Sequence, residues 1–394
     1  MILTSKQQQG LDIAIERYKS HKNYTCIAGY AGTGKSTLVS YIVANLQLTE
    51  EQVAYIAYTG KAALELRHKG CSSAQTAHRL LYKSFLKKDG TYGHIPLDYI
   101  GDYKLIVVDE ISMLPNEMWK LLLSHHIHVI ALGDPGQLPP IGEDNGILSH
   151  PHIFLDEIMR QEEDNEIIKL TMDIRAGKPL TKYNGKEVMI IDKEDLESGM
   201  LMWADQIICA KNSTRHWINH LMRQYIYGDD VSNEPRRGDK IICTHNNWNI
   251  MTEHGDALVN GTLGYVEKTI SFNTSIEEMP KLLSLDFRPD IYTAEEQNES
   301  IFDLSFRSIK TDYKLLTTGE HSINKQNFKK IPPFMKPEEI EYGYGITCWK
   351  AQGSEYDNVL VFEEDYPALG SDLHRRYLYT AATRARKKLI IVRA

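Results

Sequence analysis

Residues Tyr24–Leu46 read YTCIAGYAGTGKSTLVSYIVANL: a short apolar run, a glycine-rich loop from Gly29 to Lys35, then Leu38, Tyr41, Ile42 and Leu46 at helical spacing. Strand, loop and helix follow in that order. The loop fits the pattern G-x-x-x-x-G-K-[ST], whose glycines let successive backbone N–H groups turn inward onto phosphate oxygens while the helix N-terminus adds its positive dipole end. Gly32, Thr33 and Gly34 are expected to cradle phosphates, and Lys35 to reach the β and γ phosphates. Ser36 would offer its hydroxyl to Mg²⁺ and Thr37 would help hold a phosphate. A chance glycine turn before a helix is the plainer alternative, and it does not account for both correct flanks. The motif predicts nucleotide binding and says nothing of its purpose.

A second apolar run, KLIVVDE at 104–110, ends in Asp109 and Glu110. Carboxylates at the tip of a buried parallel strand project into the same crevice as the phosphate loop. Asp109 is therefore expected to hold Mg²⁺ through water, and Glu110 to orient or deprotonate the attacking water. As a bare dipeptide Asp-Glu would be an ordinary surface pair, and its place behind an apolar run gives it weight. A third run, HVIALGDPGQLPPIG at 128–142, sets Gly133, Asp134 and Gln137 at a strand end before a rigid Pro-Pro turn.

At 394 residues the chain exceeds the roughly 250–300 at which one hydrophobic core stops growing, so more than one domain is expected. Its apolar runs are strand-length, short of the roughly 20 residues that span a bilayer. MILTSKQQQG lacks a signal-peptide layout, so an intracellular, cytoplasmic protein without a membrane segment is expected. Cys26, Cys71, Cys209, Cys243 and Cys348 never fall at metal-ligand spacing, which argues against zinc or iron–sulfur centres and for reduced thiols. A net charge of −8 argues against coating nucleic acid through a general basic surface and points to a local groove. The run of Arg375, Arg376, Arg384, Arg386, Lys387, Lys388 and Arg393 is, taken alone, more often a solvated face.

Taken in order, these segments resemble the motifs of superfamily 1 helicases, subgroup B, nearest the RecD-like and Dda-like enzymes. GDPGQLPP is similar to the third motif, which makes Gln137 the sensor of the γ phosphate. Gln7 in LTSKQ resembles the adenine-reading glutamine, and Arg160 in LDEIMRQ the arginine of the fourth motif. YGYGITCWKAQGSEYDNVLV is similar to the fifth, with Gly353 and Glu355 expected at the nucleotide, and YTAATRA to the sixth, with Arg384 as its arginine. The resemblance runs from Leu3 to the last apolar run. It implies ATP and Mg²⁺ as cofactors and movement from 5′ to 3′ along single-stranded DNA. It further implies unwinding at duplex junctions, action as a monomer, and partners among replication or recombination proteins. The compact size fits a phage or mobile-element origin. A guanidinium supplied by a second lobe would stabilise charge on the transferring phosphoryl group. Hydrolysis would then open and close the cleft between lobes. Tyr58 stands where many relatives have proline, and Trp349 where the family usually has histidine.

The same correspondence makes Thr59, Lys61 and His78 first-lobe contacts with the strand, with further N–H donors from a helix start at Ser72–Thr76. Thr347, Trp349 and Lys350 are the second-lobe candidates. Trp349 would stack on a base, an interaction of roughly 1–3 kcal/mol, or lie half buried between lobes. Both readings stay open. The expected fold is α/β: two RecA-like P-loop NTPase lobes with a small hairpin insertion in the first and a small β-barrel insertion in the second. The first lobe would take 1–80 and 102–150, with the hairpin at 81–101 around the Asp-Gly turn of KKDGTYG. The second would take 151–240 and 343–394, with the barrel at 241–342. The hairpin is in the place of a duplex-splitting pin, and a plain surface hairpin reads equally well, with Phe85 and Tyr92 the aromatics near it. Asn273–Phe334 is weakly patterned and carries no assignment. A small-molecule kinase would share the phosphate loop but has no use for GDPGQLPP or TAATRA. An ATP-dependent switch that binds nucleic acid without unwinding it also fits. RNA suits phosphate and stacking contacts as well as DNA does.

Overall fold

The computed structural model describes residues 3–86, 92–139, 145–159, 164–228, 234–272, 282–292, 301, 303–318, 336–365 and 368–394. β1 (Tyr24–Gly29), β2 (Val53–Ala57) and β3 (Gln75–Thr76) lead into a hairpin of β4 (Tyr82–Leu86) and β5 (Tyr92–Pro96), followed by β6 (Leu105–Val108), β7 (His128–Gly133) and β8 (Ile153–Leu155). Apart from the hairpin these form one six-stranded parallel sheet in the order β3-β2-β6-β7-β1-β8. Its central strands are apolar throughout because both faces are covered. One face packs Leu38, Val39 and Ile42 of the helix Lys35–Asn45 and Leu11 of the helix Ser5–Lys19; the other packs Met118, Trp119 and Leu122 of the helix Asn116–Ser124.

The expected first-lobe boundary at residue 150 falls short. Ile153, Phe154 and Leu155 pair in parallel with Ile27, Ala28 and Gly29, so the sheet's edge strand comes from beyond it. The helix start expected at Ser72–Thr76 is likewise displaced: Gln75–Thr76 is strand, and the helix runs Ala77–Leu81 with the Thr76 hydroxyl accepting from the Arg79 N–H at 3.2 Å. The hairpin pairs Tyr82–Leu86 with Tyr92–Pro96, and the Asp-Gly turn expected within it lies outside the described residues.

The second sheet takes β9 (Tyr183–Asn184), β10 (Val188–Ile191) and β11 (Gln206–Cys209) and is completed near the end of the chain. In between come β12 (Lys240–Cys243), β13 (Asn247–Met251), β14 (Ala257–Leu258), β15 (Leu263–Phe272), β16 (Leu282–Pro289), β17 (Phe306–Asp312) and β18 (Ile340–Tyr342). β19 (Gly345–Thr347), β20 (Tyr356–Phe362) and β21 (Ala385–Val392) then return to it. The order is β19-β11-β20-β21-β10-β9, parallel except for β9. The inserted strands make a five-stranded antiparallel sheet, β17-β16-β15-β12-β18. Its two edges meet where Thr311 bridges to Glu338, whose N–H donates to the Lys310 carbonyl at 2.6 Å, giving the barrel-like closure. β16 and β17 lie inside the stretch that looked unpatterned. Leu283, Leu285 and Phe287 alternate inward with Ser284, Asp286 and Arg288, a period-2 signal masked by the acidic flanks.

The insertion leans on the first lobe. The Lys61 ammonium pairs with Asp290 at 2.8 Å, the Arg67 guanidinium donates to the Ile291 carbonyl at 2.7 Å, and the ribbon strand β13 packs against β5 of the hairpin.

Candidate nucleotide cleft and strand groove

The phosphate loop turns because Gly32 (φ 73°) and Gly34 (φ 77°) take left-handed backbone that side-chain-bearing residues resist. The Lys35 ammonium lies across the loop, donating to the carbonyls of Gly29 at 2.7 Å and Tyr30 at 3.1 Å. Around the loop lies a cleft of about 450 Å³ between the lobes. Lys35, Ser36, Thr37, Asp109, Glu110, Gln137, Glu355 and Arg384 all face it, as do Lys69, Asn165 and Arg386. Asp109 is pushed above the usual carboxylate range by burial first and the Glu110 charge second, against the opposing pull of Lys69 and Lys35.

Glu110 sits at the convergence. Its backbone is left-handed (φ 49°), a strained conformation for a non-glycine residue and one that concentrates at functional sites. One carboxylate oxygen accepts from the Gln137 amide at 3.3 Å and stands 4.0 Å from an Arg384 guanidinium nitrogen. Arg384 comes from the second lobe, is 4% exposed, and donates to the carbonyls of Thr380 at 3.0 Å and Ser354 at 3.2 Å and to the Thr383 hydroxyl at 3.1 Å. Glu355 crosses the cleft to Lys69 at 2.8 Å. Gly353 (φ 72°) brings its backbone against Thr59, Ala62 and Met113 of the first lobe rather than to the nucleotide cleft.

Gln7 is placed under the loop. It is 2% exposed, donates to the Thr33 carbonyl at 3.0 Å and accepts from the Thr4 N–H at 3.0 Å, so its carboxamide holds loop backbone. Arg160 lies outside the described residues.

A second concavity, about 480 Å³, runs along the lobe interface beside the cleft. Tyr58, Thr59, Asn116, Asn246, Thr347, Trp349 and Lys350 line it. The Trp349 indole N–H donates to the Pro139 carbonyl at 3.2 Å, so one edge is anchored across the interface while the ring borders the groove. Lys350 is lowered to about 8, by burial first, with Glu341 opposing and Arg215 adding to the drop. Two expected strand contacts are placed elsewhere. Lys61 is 12% exposed and committed to Asp290, which the insertion delivers. His78 is buried, stacked on Tyr82 at 4.9 Å and edge-on to His94 at 4.7 Å, and burial lowers it to about 4, a neutral packing histidine.

Lys69, Tyr30 and Tyr379 were missed from the sequence. Lys69 ends a helix in an unpatterned RHKG stretch, whereas Tyr379 belongs to the YTAATRA segment already singled out.

Fold and site define a P-loop NTPase of two RecA-like lobes, with a groove along their interface. Residues 3–192 match the family model of an AAA domain, and 342–392 that of a UvrD-like helicase C-terminal domain. The chain is homologous to the RecD2, RecD and Dda helicases. It is 26% identical over 387 residues to the ATP-dependent RecD2 DNA helicase of Deinococcus radiodurans, covering 92% of this chain and 46% of that one. With the Dda ATP-dependent DNA helicase of Enterobacteria phage T4 it shares 27% over 189 residues, 45% of this chain and 43% of that one. The chain thus spans about half the length of these curated relatives. A Bacteroides Pif1 helicase solved with ADP-AlF3 and single-stranded DNA superposes with a TM-score of 0.50 at 17% identity, over 99% of this chain and 92% of that one. Among the described residues no helix is long and apolar enough to cross a membrane.

Proposed function

We propose that the chain is an ATP-driven translocase that moves 5′ to 3′ along single-stranded DNA and separates duplex ahead of it. The observation that carries this reading is the segment Gln137–Pro139, in which Gln137 lines the cleft and its two neighbours hydrogen-bond to residues that line the groove. Gln137 touches Glu110 in the cleft. Next to it, the Leu138 N–H donates to the Thr380 hydroxyl at 2.8 Å, the Leu138 carbonyl accepts from Gln352 at 2.8 Å, and Pro139 accepts from Trp349. A change in phosphate occupancy at Gln137 therefore acts on the residues that border the groove, which is the coupling a motor needs.

In this reading Lys35 and the loop amides bind the phosphates, and Glu110 takes or orients the proton of the attacking water. Gln137 senses the γ phosphate, and Arg384 meets the charge that develops as the phosphoryl group transfers. The hydroxyl of Ser36 and the carboxylate of Asp109 are hard oxygen donors that suit Mg²⁺, which takes one or two protein ligands and completes its shell with water and phosphate. Bound there, the ion would neutralise phosphate charge. Thr59, Thr347, Trp349 and Lys350 hold the strand. The protein acts inside the cell as a monomer, in replication or recombination.

The ATPase rate with and without single-stranded DNA or RNA, followed by unwinding of duplexes with a 5′ or a 3′ tail, tests the proposal. Stimulation by DNA with unwinding from the 5′ tail alone is expected. Turnover indifferent to any strand would leave a nucleotide switch as the better account.

A further inference from the structure

Two adjacent residues of the phosphate loop are held from the opposite lobe. Tyr379, on the helix Asp372–Ala382, is 1% exposed; its hydroxyl donates to the Asp134 carboxylate at 2.6 Å and accepts from the Ala31 N–H at 2.8 Å. The other Asp134 oxygen accepts from the Gly136 N–H at 2.8 Å. Beside it the Arg175 guanidinium, at the end of the helix Glu166–Arg175, lies over the Tyr30 ring, 3.3 Å from its centroid. The fit is close, since a methyl at Gly136 would stand 3.1 Å from the Tyr379 ring and 3.3 Å from that of Tyr30.

We propose that Tyr379 and Arg175 form a second-lobe clamp on the phosphate loop, so that the loop, the Asp134–Gln137 turn and Arg384 come into register in one docking event. The inference rests on the ATPase reading above and assigns Tyr379 a positioning part in it. Donating to a carboxylate polarises the Tyr379 oxygen and strengthens the bond it accepts from Ala31. Tyr379 and Asp134 are buried at the lobe interface, so a half-separated interface would leave the hydroxyl and the carboxylate unpaired, whereas docked and fully parted lobes satisfy them. That penalty disfavours intermediates and makes the contact a two-state element. A ring without the hydroxyl would fill the space equally well, so the hydroxyl is there for its bonds.

Tyr377 supplies the matched control. It is on the same helix, fully buried, and its hydroxyl donates to the Phe362 carbonyl at 2.5 Å within its own lobe. Tyr379→Phe and Tyr377→Phe each delete one buried hydroxyl, and Arg175→Gln removes the cation from Tyr30 at a partly exposed site that tolerates the change. Binding of a fluorescent ADP analogue and strand-stimulated kcat and KM would be measured for all three alongside the wild type. The clamp predicts ADP affinity weakened about tenfold and stimulated kcat reduced in Tyr379→Phe, a smaller loss of the same kind in Arg175→Gln, and neither in Tyr377→Phe. Equal ADP affinity in Tyr379→Phe and Tyr377→Phe would overturn it. If Tyr379→Phe does not fold, unchanged ADP affinity in Arg175→Gln overturns it instead. A wild type whose turnover ignores strands would sink the motor reading, while the ADP comparison would still decide the clamp.

Discussion

Arg384 reaches the cleft already oriented. Its three bonds to Thr380, Ser354 and Thr383 fix the guanidinium near Glu110, so little reorganisation is left for the moment of reaction. Arg384→Ala should lower kcat by about 10²–10³ while leaving nucleotide affinity within a few fold, as steady-state turnover and a binding titration would show. Gln7 gives a sharper choice. Since its carboxamide already engages Thr33 and Thr4, Gln7→Ala should weaken ATP and GTP by a common factor of about ten through the loop. A loss confined to ATP would instead return Gln7 to adenine reading. Lys350 is lowered to about 8, and in its proposed role it would bind strand phosphate in its charged form. Strand affinity should therefore hold below pH 8 and fall as pH rises through it, and Lys350→Arg should flatten the profile. The cleft residues were legible because strand-end position fixes where a side chain points. Lys61 and His78 were not, since what decides them, Asp290 and the Tyr82–His94 pair, arrives from outside their own segments.

Among the elements, the parallel strands announced themselves as apolar runs ending in functional residues, whereas the insertion depended on pairings that no local pattern reveals. β16 finds its partners on either side in β15 and β17, and the sheet closes only when Glu338 reaches Thr311. β8 escaped for a similar reason: three residues suffice once Gly29 and Leu155 lie side by side. The same insertion docks on the first lobe through Asp290, the partner of Lys61, with Lys240 also nearby and itself lowered to about 8, chiefly by burial. Removing that carboxylate takes away the charge that both ammonium groups share, leaving Lys61 and Lys240 repelling each other with Glu65 and Asp205 as the remaining acidic neighbours. Asp290→Ala should therefore loosen the insertion from the first lobe, read as faster amide exchange in the helix Gly60–His68 and in β16. Asp290→Asn, which keeps a hydrogen-bond acceptor, should show a smaller change. Equal exchange in all three proteins would mean that the Arg67 and Ile291 contacts suffice.

At the scale of the whole molecule, one segment, Gln137–Pro139, hydrogen-bonds to residues of both the cleft and the groove, and any coupling that it carries is thermodynamically reciprocal. Gln137 already touches Glu110 within the first lobe, so in the proposed motor it would shift when a γ phosphate arrives or leaves. Leu138 and Pro139, next along the chain, bond Thr380, Gln352 and Trp349 of the second lobe, so that shift would alter the groove together with the cleft. If this is the transmission, the factor by which a non-hydrolysable ATP analogue changes single-strand affinity must equal the factor by which the strand changes affinity for the analogue. A coupling of 1–3 kcal/mol, about 5–150-fold, is the usual range. Gln352→Ala deletes the bond to Leu138 at a buried position facing the groove, away from the nucleotide. It should shrink both factors together while leaving affinity for the analogue alone within a few fold. If the factors stay at the wild-type value in that variant, the transmission runs through Arg384 and the bulk lobe interface rather than through Gln137–Pro139.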